Sequence, residues 1–321
     1  MGGYILRRVL INIPVLFLVT FLVFSLIEIA PGDVVDYFLT PEMMQYTTEA
    51  DIERLRERTG LDQPFLVRYV NWLGRLGQGD LGFSFVESKP VDQLIVTHLS
   101  NTLSLMGAAL AMGIVFGISL GVFVGLRQYS FWDFSLTGLS FIGISMPAFI
   151  TGILGLYIFS VRLGWFPAGG MRTAAADPSL IDSLRHLVLP ATTLAIMQIA
   201  SNMRYMRFSM LEVLNQDYIV TARAKGLNRR TVNNRHALRN ALLPVVTVIG
   251  LSIPTLVAGA VFIETIYSWR GMGTLYLQAV SGRDYPVIMG VNLVFAVMVL
   301  AANLLTDIAY SVVDPRVRFE D

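Results

Sequence analysis

Residues 101–126 read NTLSLMGAALAMGIVFGISLGVFVGL, a run without a charged side chain. At about 1.5 Å of rise per residue, a helix of this length is ~39 Å long and more than crosses a hydrocarbon core of about 30 Å. The composition of the whole chain agrees with a membrane setting, since 54% of its 321 residues are hydrophobic and only 15% are charged. A soluble domain carries about 25% charged residues. The bilayer is therefore the expected solvent of this protein.

Six apolar stretches are long enough to cross a membrane as helices. They are residues 9–29, 101–126, 134–159, 187–203, 242–262 and 287–305. Among all Lys, Arg, Asp and Glu residues, only Glu28 lies inside these limits, one residue from the end of its stretch. A charge at the centre of a membrane helix costs about 2.5–3.5 kcal/mol on insertion scales, which explains this distribution. The sequence predicts an all-α membrane protein with six transmembrane helices.

The basic residues of the connecting segments predict the orientation of the chain. Arg7 and Arg8 precede the first span, and residues 204–239 contain eight Lys or Arg against two acidic residues. Because Lys and Arg concentrate in cytoplasmic loops, we expect both termini and residues 204–239 to face the cytoplasm. The protein is then a multi-pass protein of the cytoplasmic membrane.

The long segment between the first two spans is expected to be extracytoplasmic and helical. Residues 49–58 read as a charged helix, and residues 64–76 place Phe65, Tyr69, Trp72 and Leu73 at helical spacing. These patterns predict short helices lying on the outer membrane face. The expected organisation is an N-terminal tail with helix 1 over residues 1–30, this segment over residues 31–100, and a core membrane domain with five further spans over residues 101–321.

Residues 217–227, DYIVTARAKGL, are the most informative cytoplasmic stretch. Tyr218, Ala222 and Gly226 are four residues apart and would share one side of a short helix. Asp217 favours the positive start of that helix, Lys225 suits its negative end, and Gly226 can adopt the left-handed conformation that stops it. A side with small residues can be approached closely by a partner. A basic loop that contacts lipid head groups would explain the charges alone.

The order of residue types around this stretch resembles the signature loop of the importer-type ATP-binding-cassette (ABC) permeases, in the form seen in dipeptide, oligopeptide and nickel permeases. Residues 218–227 and 236–244 carry the resemblance to the loop. Other segments are similar to the B-type subunit of that family: residues 7–8, 21–24, 30–33, 60–64, 79–82, 145–147, 264–269 and 283–286. The resemblance therefore covers nearly the whole chain.

The resemblance implies the type I ABC importer permease fold and a set of site residues. In such transporters a short cytoplasmic helix sits in a groove of an ATPase subunit, and closure of two ATPases on ATP swings the spans from inward-open to outward-open. The residues implied for this coupling helix are Asp217, Tyr218, Thr221, Ala222, Arg223, Ala224, Lys225 and Gly226, and those of the following loop are His236, Arg239, Asn240 and Pro244. Candidates for the solute pathway or its gate are Pro147, Pro254 and Glu264.

The resemblance also implies the partners. They are a second homologous permease subunit, two ATP-binding subunits, a soluble or lipid-anchored substrate-binding protein and membrane lipid, in a bacterial or archaeal cytoplasmic membrane. The sequence has no G-x-x-x-x-G-K-[ST] phosphate loop, so we expect no enzyme activity and no cofactor in this chain, with ATP and Mg bound by the partner ATPases. The net charge of +1 gives no reason to expect nucleic acid. We expect the solute to be a dipeptide, an oligopeptide or a similar small solute, with nickel chelates, glutathione and sugars left open.

Two other classes of function are weighed against this interpretation. An ion-coupled carrier or channel that acts without ATPases would normally show carboxylates inside the spans or a structural repeat. An intramembrane enzyme would need paired acids, a zinc motif or a serine with a histidine at membrane depth. The three histidines lie in or beside loops, and the absence of cysteine excludes thiol chemistry and disulfides.

Overall fold

The computed structural model describes residues 2–29, 62–84, 86–173 and 179–313, which form a largely helical chain. In these ranges the α-helices are α1 (Gly2–Ile29), α2 (Phe65–Leu76), α3 (Val91–Gly125), α4 (Phe131–Ser145), α5 (Ala148–Gly155), α6 (Leu180–Leu214), α7 (Asp217–Ala224), α8 (Arg229–Thr231), α9 (Leu238–Ile266), α10 (Met272–Ser281) and α11 (Tyr285–Val313). Two π-helical segments, Leu156–Arg162 and Val232–Ala237, continue α5 and precede α9. A hairpin is formed by β1 (Phe83–Ser84) and β2 (Lys89–Pro90).

Within the described residues, the six predicted spans are confirmed as five long apolar helices and one bent pair. The long helices are α1, α3, α6, α11 and the helical stretch Arg229–Ile266, which includes α9. The bent pair is α4 with the stretch Ala148–Arg162, and the two parts meet at an angle of 108°.

The bend lies at Met146 and Pro147, so the third span, predicted over residues 134–159, is not one continuous helix. Met146 is extended, with φ −85° and ψ 125°. A residue before proline is disfavoured in the helical region because it clashes with the proline ring, and proline itself has no N–H to donate. In contrast, α9 continues through Pro244 and Pro254. Of the two prolines predicted as candidates for the pathway or its gate, only Pro147 lies at a break between helices.

Several helices extend beyond the predicted spans. The fourth span was predicted over residues 187–203, whereas α6 runs from Leu180 to Leu214, and α3 begins ten residues before residue 101. Hydropathy marks the part of a helix that hydrocarbon can cover, and a helix can continue past that point with polar residues. The predicted helix over residues 64–76 is confirmed as α2. The predicted helix over residues 49–58 lies outside the described residues.

The chain divides into two compact units. The first combines Met1–Ser100 with Gly271–Met298, and the second combines Asn101–Arg270 with Val299–Asp321. The core of the first unit includes Val91, Met272 and Val291, all of which are fully buried.

The β-hairpin of the first unit is held by a buried carboxylate. Ser84 donates a hydrogen bond from Oγ to Oδ2 of Asp284 over 2.5 Å. Asp284 is 4% exposed. Burial raises the pKa of this carboxyl above its ordinary value, and the bond from Ser84 works in the opposite direction. The hairpin is therefore fixed next to the start of α11.

In the second unit, α3 and α6 pack in very close contact along a row of glycines. The glycines are four residues apart on α3, and the facing residues are four apart on α6: Gly113 faces Gln198, Gly117 faces Asn202, Gly121 faces Met206 and Gly125 faces Met210. A Cβ atom added at these glycines would lie 2.5–2.9 Å from the Cβ of the facing residue. Small residues at such spacing let membrane helices approach closely, so their van der Waals contact is extensive.

Candidate functional site

The inner side of the short helix α7 is anchored in the second unit. Ile219 is fully buried and Ala222 is 7% exposed. Both belong to a hydrophobic cluster that includes Met206 and Met210 of α6. These methionines are the same side chains that face the glycine row of α3. The position of α7 is therefore tied to the α3–α6 pair.

The segment after α7 completes the anchor. Val232, Ala237, Ala241 and Val245 are all fully buried in the same cluster. Ser209 of α6 donates a hydrogen bond from Oγ to the carbonyl oxygen of Ala241 on α9, over 2.8 Å. The first turns of α9 and the C-terminal part of α6 thus form one packed base beneath α7.

Local sequence determines both ends of α7. Asp217 lies in the first turn, where a negative charge interacts favourably with the positive end of the helix dipole. Gly226 has φ +77°, the left-handed conformation predicted for it, and this conformation stops the helix. The next turn begins with Asn228, whose side chain accepts a hydrogen bond from the backbone N–H of Thr231 over 2.7 Å. The rigid ends fix the length of α7 at two turns.

The structure brings three predicted site residues together. Asn240 donates from Nδ2 to the hydroxyl oxygen of Tyr218 over 2.9 Å and to the carbonyl oxygen of His236 over 3.1 Å. The contact joins the start of α7 to the start of α9. Arg239 and Pro244, the other residues predicted for this loop, are exposed on α9.

The exposed side of α7 consists of Asp217, Val220, Thr221 and Ala224, with Tyr218 and Arg223 beside it. Val220 is 55% exposed and Tyr218 is 42% exposed. Ala222 differs from the expectation that it shares an approachable side with Tyr218 and Gly226, because its methyl group packs into the chain's own core. Lys225 and Gly226 are exposed at the end of the helix. A partner that reaches α7 would meet the exposed side, a mixture of apolar, polar and charged groups.

Glu264, one of the residues predicted for a pathway or gate, lies far from α7. Glu264 is fully buried and accepts a hydrogen bond from the Thr102 hydroxyl over 2.5 Å. Asn240 and Glu264 are on the same helix, about 36 Å apart at 1.5 Å per residue. The described structure therefore contains a site around α7 and a separate polar contact at the other end of α9.

An ion pair that the sequence analysis missed connects α4 to α6. Arg207 donates from Nε to Oδ1 of Asp133 over 2.5 Å and from its terminal nitrogen to Oδ2 over 2.8 Å. Asp133 is 2% exposed, and the backbone N–H of Tyr129 also donates to it. The two charged residues are 74 positions apart, so no local pattern pairs them. Among the described ranges, no group of three or more His, Cys, Asp or Glu side chains could hold a metal ion.

The sequence of this chain matches two models of related protein families. The family described as the binding-protein-dependent transport system inner membrane component matches residues 94–319, and the N-terminal region of such membrane components matches residues 1–106. The chain belongs to this family. As a permease of the ABC importers, it is a transport subunit, and ATP hydrolysis belongs to partner subunits of such systems. It is a B-type permease of the peptide importer group, as the sequence motifs indicated.

Several curated proteins are similar to this permease over their whole length. A putative peptide permease protein of Brucella suis is 50% identical over 98% of each chain. The oligopeptide transport system permease protein AppB of Bacillus subtilis is 44% identical over 99% of this permease and 100% of that protein. The di/tripeptide transport system permease protein DppB of Pseudomonas aeruginosa is 39% identical over 100% of both chains.

Two solved structures share the fold of the permease. One is the MetNI methionine ABC transporter in an inward-facing conformation, with a TM-score of 0.57 and 18% identity over 69% of this permease and 97% of that chain. The other is an amino acid ABC transporter, with a TM-score of 0.51 and 15% identity over 68% of this permease and 94% of that chain. The predicted type I importer permease fold is confirmed.

Proposed function

We propose that this permease is one of two membrane subunits of an ATP-driven importer of dipeptides and oligopeptides. The names of three full-length relatives, from Brucella, Bacillus and Pseudomonas, support a peptide as the solute. The second homologous permease subunit, the two ATP-binding subunits that bind ATP and Mg, and a soluble or lipid-anchored binding protein complete the proposed assembly. The fold relationship to ABC transporter membrane subunits supports this arrangement.

The proposed orientation places both termini and α7 in the cytoplasm. Arg7, Arg8 and the basic residues 204–239 support it, because cytoplasmic connections carry the excess of Lys and Arg. Residues 31–100 are then extracytoplasmic, and residues 101–321 provide the core permease domain. In this orientation the solute pathway involves the break at Pro147, and Pro254 and Glu264 remain candidates for its gate.

The exposed side of α7 is the proposed docking surface for an ATP-binding subunit. The observation that carries the proposal is the two-sided packing of α7, with Ile219 and Ala222 buried against α6 while Val220 stands 55% exposed on the other side. A partner can shift a conformational equilibrium only through contacts that differ between the two states. A helix that is firmly attached to α6 and α9 transmits such contacts to the spans instead of absorbing them.

Added bulk on the exposed side of α7 is expected to uncouple transport without unfolding the permease. The variants Val220→Trp and Ala224→Trp should reduce uptake of radiolabelled tri-alanine about ten-fold or more, which equals ~1.4 kcal/mol or more of lost coupling free energy. Stimulation of ATP hydrolysis by the binding protein should fall in parallel. Both activities are measured in proteoliposomes that hold the complete complex, at equal abundance of the permease. Glu212→Trp, at an exposed position on α6, is the matched control.

Normal uptake and normal ATPase stimulation in both tryptophan variants would reject docking at this surface. Ala222→Trp has a different expected outcome, because its side chain would enter the buried cluster and reduce the amount of folded permease. Uptake that is driven by an ion gradient in liposomes with the permease alone would instead indicate a secondary carrier.

The nature of the solute is tested by purifying the binding protein and identifying its bound ligand by mass spectrometry. A nickel chelate, glutathione or a sugar as the bound ligand would contradict the proposal of a peptide.

A further inference from the structure

Helix α2 packs across α1 through a cluster of aromatic rings in the first unit. The ring of Phe21 on α1 lies 5.7 Å from that of Phe65 and 5.3 Å from that of Tyr69, centroid to centroid. Tyr69 and Trp72 are 8% and 6% exposed. This is the packed face of α2, and it fixes the helix against a membrane span.

The charges on α1 show where hydrocarbon covers that span. Arg8 and Glu28 enclose residues 9–27, which contain no charge. Nineteen residues of helix are about 28 Å long, close to the ~30 Å of a hydrocarbon core. The boundary of the core at this end of α1 therefore lies near Glu28.

The two flanks of α2 contact α1 at different depths. Arg68, on one flank, forms an ion pair with Glu28 at the boundary. Tyr69, at the edge of the packed face away from Arg68, bonds through its hydroxyl to the carbonyl oxygen of Phe17 over 3.1 Å and to the Thr20 hydroxyl over 3.0 Å. Thr20 is eight residues below Glu28, which is about 12 Å along the helix axis. The Tyr69 flank of α2 therefore faces the interior of the bilayer.

The exposed side chains of α2 are sorted in the same way. At 3.6 residues per turn, Leu66 and Val70 follow Tyr69 around the helix, whereas Asn71 and Arg75 lie on the flank of Arg68. Leu66 and Val70 are each 62% exposed in this chain. The two most exposed apolar side chains of α2, Leu66 and Val70, are thus on the deep flank, and the polar side chains Asn71 and Arg75 are on the shallow flank. Val67, which is 44% exposed, lies between the two flanks on the side away from α1.

We infer that α2 is embedded in the leaflet around the Glu28 end of α1, with Leu66 and Val70 in contact with lipid acyl chains. This leaflet is the outer one in the orientation proposed above. The argument for acyl chains as the occupant is continuity with α1, whose Leu18, Leu22 and Leu26 are 52–67% exposed along the same depth range. A helix with a packed face, an apolar flank and a polar flank suits the boundary between hydrocarbon and head groups. The segment is therefore inserted and does not merely rest on the membrane surface.

Single cysteines can test this placement because the natural chain contains none. Leu66→Cys and Val70→Cys are prepared with Asn71→Cys as the control on the shallow flank, and each is labelled with a nitroxide in the complete complex in lipid nanodiscs. Collision rates with oxygen, which partitions into acyl chains, and with a water-soluble nickel chelate are measured by electron paramagnetic resonance. We expect a ratio of oxygen to nickel collisions several-fold higher at positions 66 and 70 than at position 71. Adding the binding protein should not change the ratio.

Two results would overturn the inference. Collision rates that favour the nickel chelate at positions 66 and 70 would place the deep flank in water. Protection from both reagents would show that a protein covers the deep flank. That protein would be the binding protein if protection appears only when the binding protein is added, and the second permease subunit otherwise. Labelled variants are used only where the complex elutes from a sizing column as the natural complex does. Positions 66 and 70 provide two independent measurements of the same flank. The readout involves no transport, so its failure is distinct from failure of the proposed function.

Discussion

Replacing Gly121 by alanine should lower the free energy of unfolding of the permease by about 1–3 kcal/mol, the usual cost of overpacking. The new Cβ would lie 2.5 Å from Cβ of Met206 and 2.7 Å from the carbonyl oxygen of Met203. Neither contact can be relieved by rotating the end of a flexible side chain, so α3 and α6 must separate. The free energy of unfolding is measured from an unfolding curve in which a denaturing detergent is added to micelles of a mild detergent.

Gly107→Ala is the matched control for this prediction, since it lies on the same helix and its added Cβ would meet nothing within 4 Å. It should leave stability unchanged or raise it by up to about 1 kcal/mol, because alanine is the better helix former. Equal effects of the two substitutions would show that the glycine row does not hold the helices together. Because Met206 also supports α7, we expect Gly121→Ala to lower transport per folded molecule as well.

Removing the carboxylate charge in Asp133→Asn should lower the free energy of unfolding by about 3 kcal/mol. Breaking a buried ion pair typically costs ~3–5 kcal/mol because the remaining charge loses its partner, and the lower value applies since Arg207 is 26% exposed. The same unfolding measurement applies. Glu212→Gln, which removes an exposed carboxylate from α6, should change stability by no more than about 0.5 kcal/mol.

A double-mutant cycle separates the ion pair from other effects of these residues. If the pair is the source of stability, Asp133→Asn combined with Arg207→Gln should cost less than the sum of the two single substitutions. Strictly additive costs would mean that the two side chains contribute independently. Arg207→Lys retains the charge but cannot make the two parallel hydrogen bonds, and an intermediate loss of stability is expected for it.

The spans were predictable because the cost of burying charge acts locally. The absence of charge in residues 101–126 is enough to predict a membrane span there. The ends of α7 were also predictable from neighbouring residues, because Gly226 and Asn228 act within one turn. The sequence could not show which side of α7 is buried. The four-residue spacing selected Ala222 as a surface residue, whereas Met206 and Val232, which lie outside α7, place it in the core.

Features built from distant segments were missed for the same reason. The pair of Asp133 and Arg207 joins two helices 74 positions apart, and the β-hairpin has strands of only two residues. The glycine row could have been noticed from its regular spacing of four, but its partner on α6 could not. Hydropathy also could not reveal how far α6 continues beyond the hydrocarbon.

The break between α4 and α5 interrupts the backbone hydrogen bonding of a membrane span. The end of one helix and the start of the next leave backbone carbonyl and amide groups without partners inside either helix. Met146 and Pro147 lie midway along the bent pair, far from both of its ends. Hydrocarbon offers these groups no hydrogen bonds, so a wet crevice or another subunit has to satisfy them. In the proposed pathway, these backbone groups would be available to hydrogen-bond a solute that keeps part of its hydration shell.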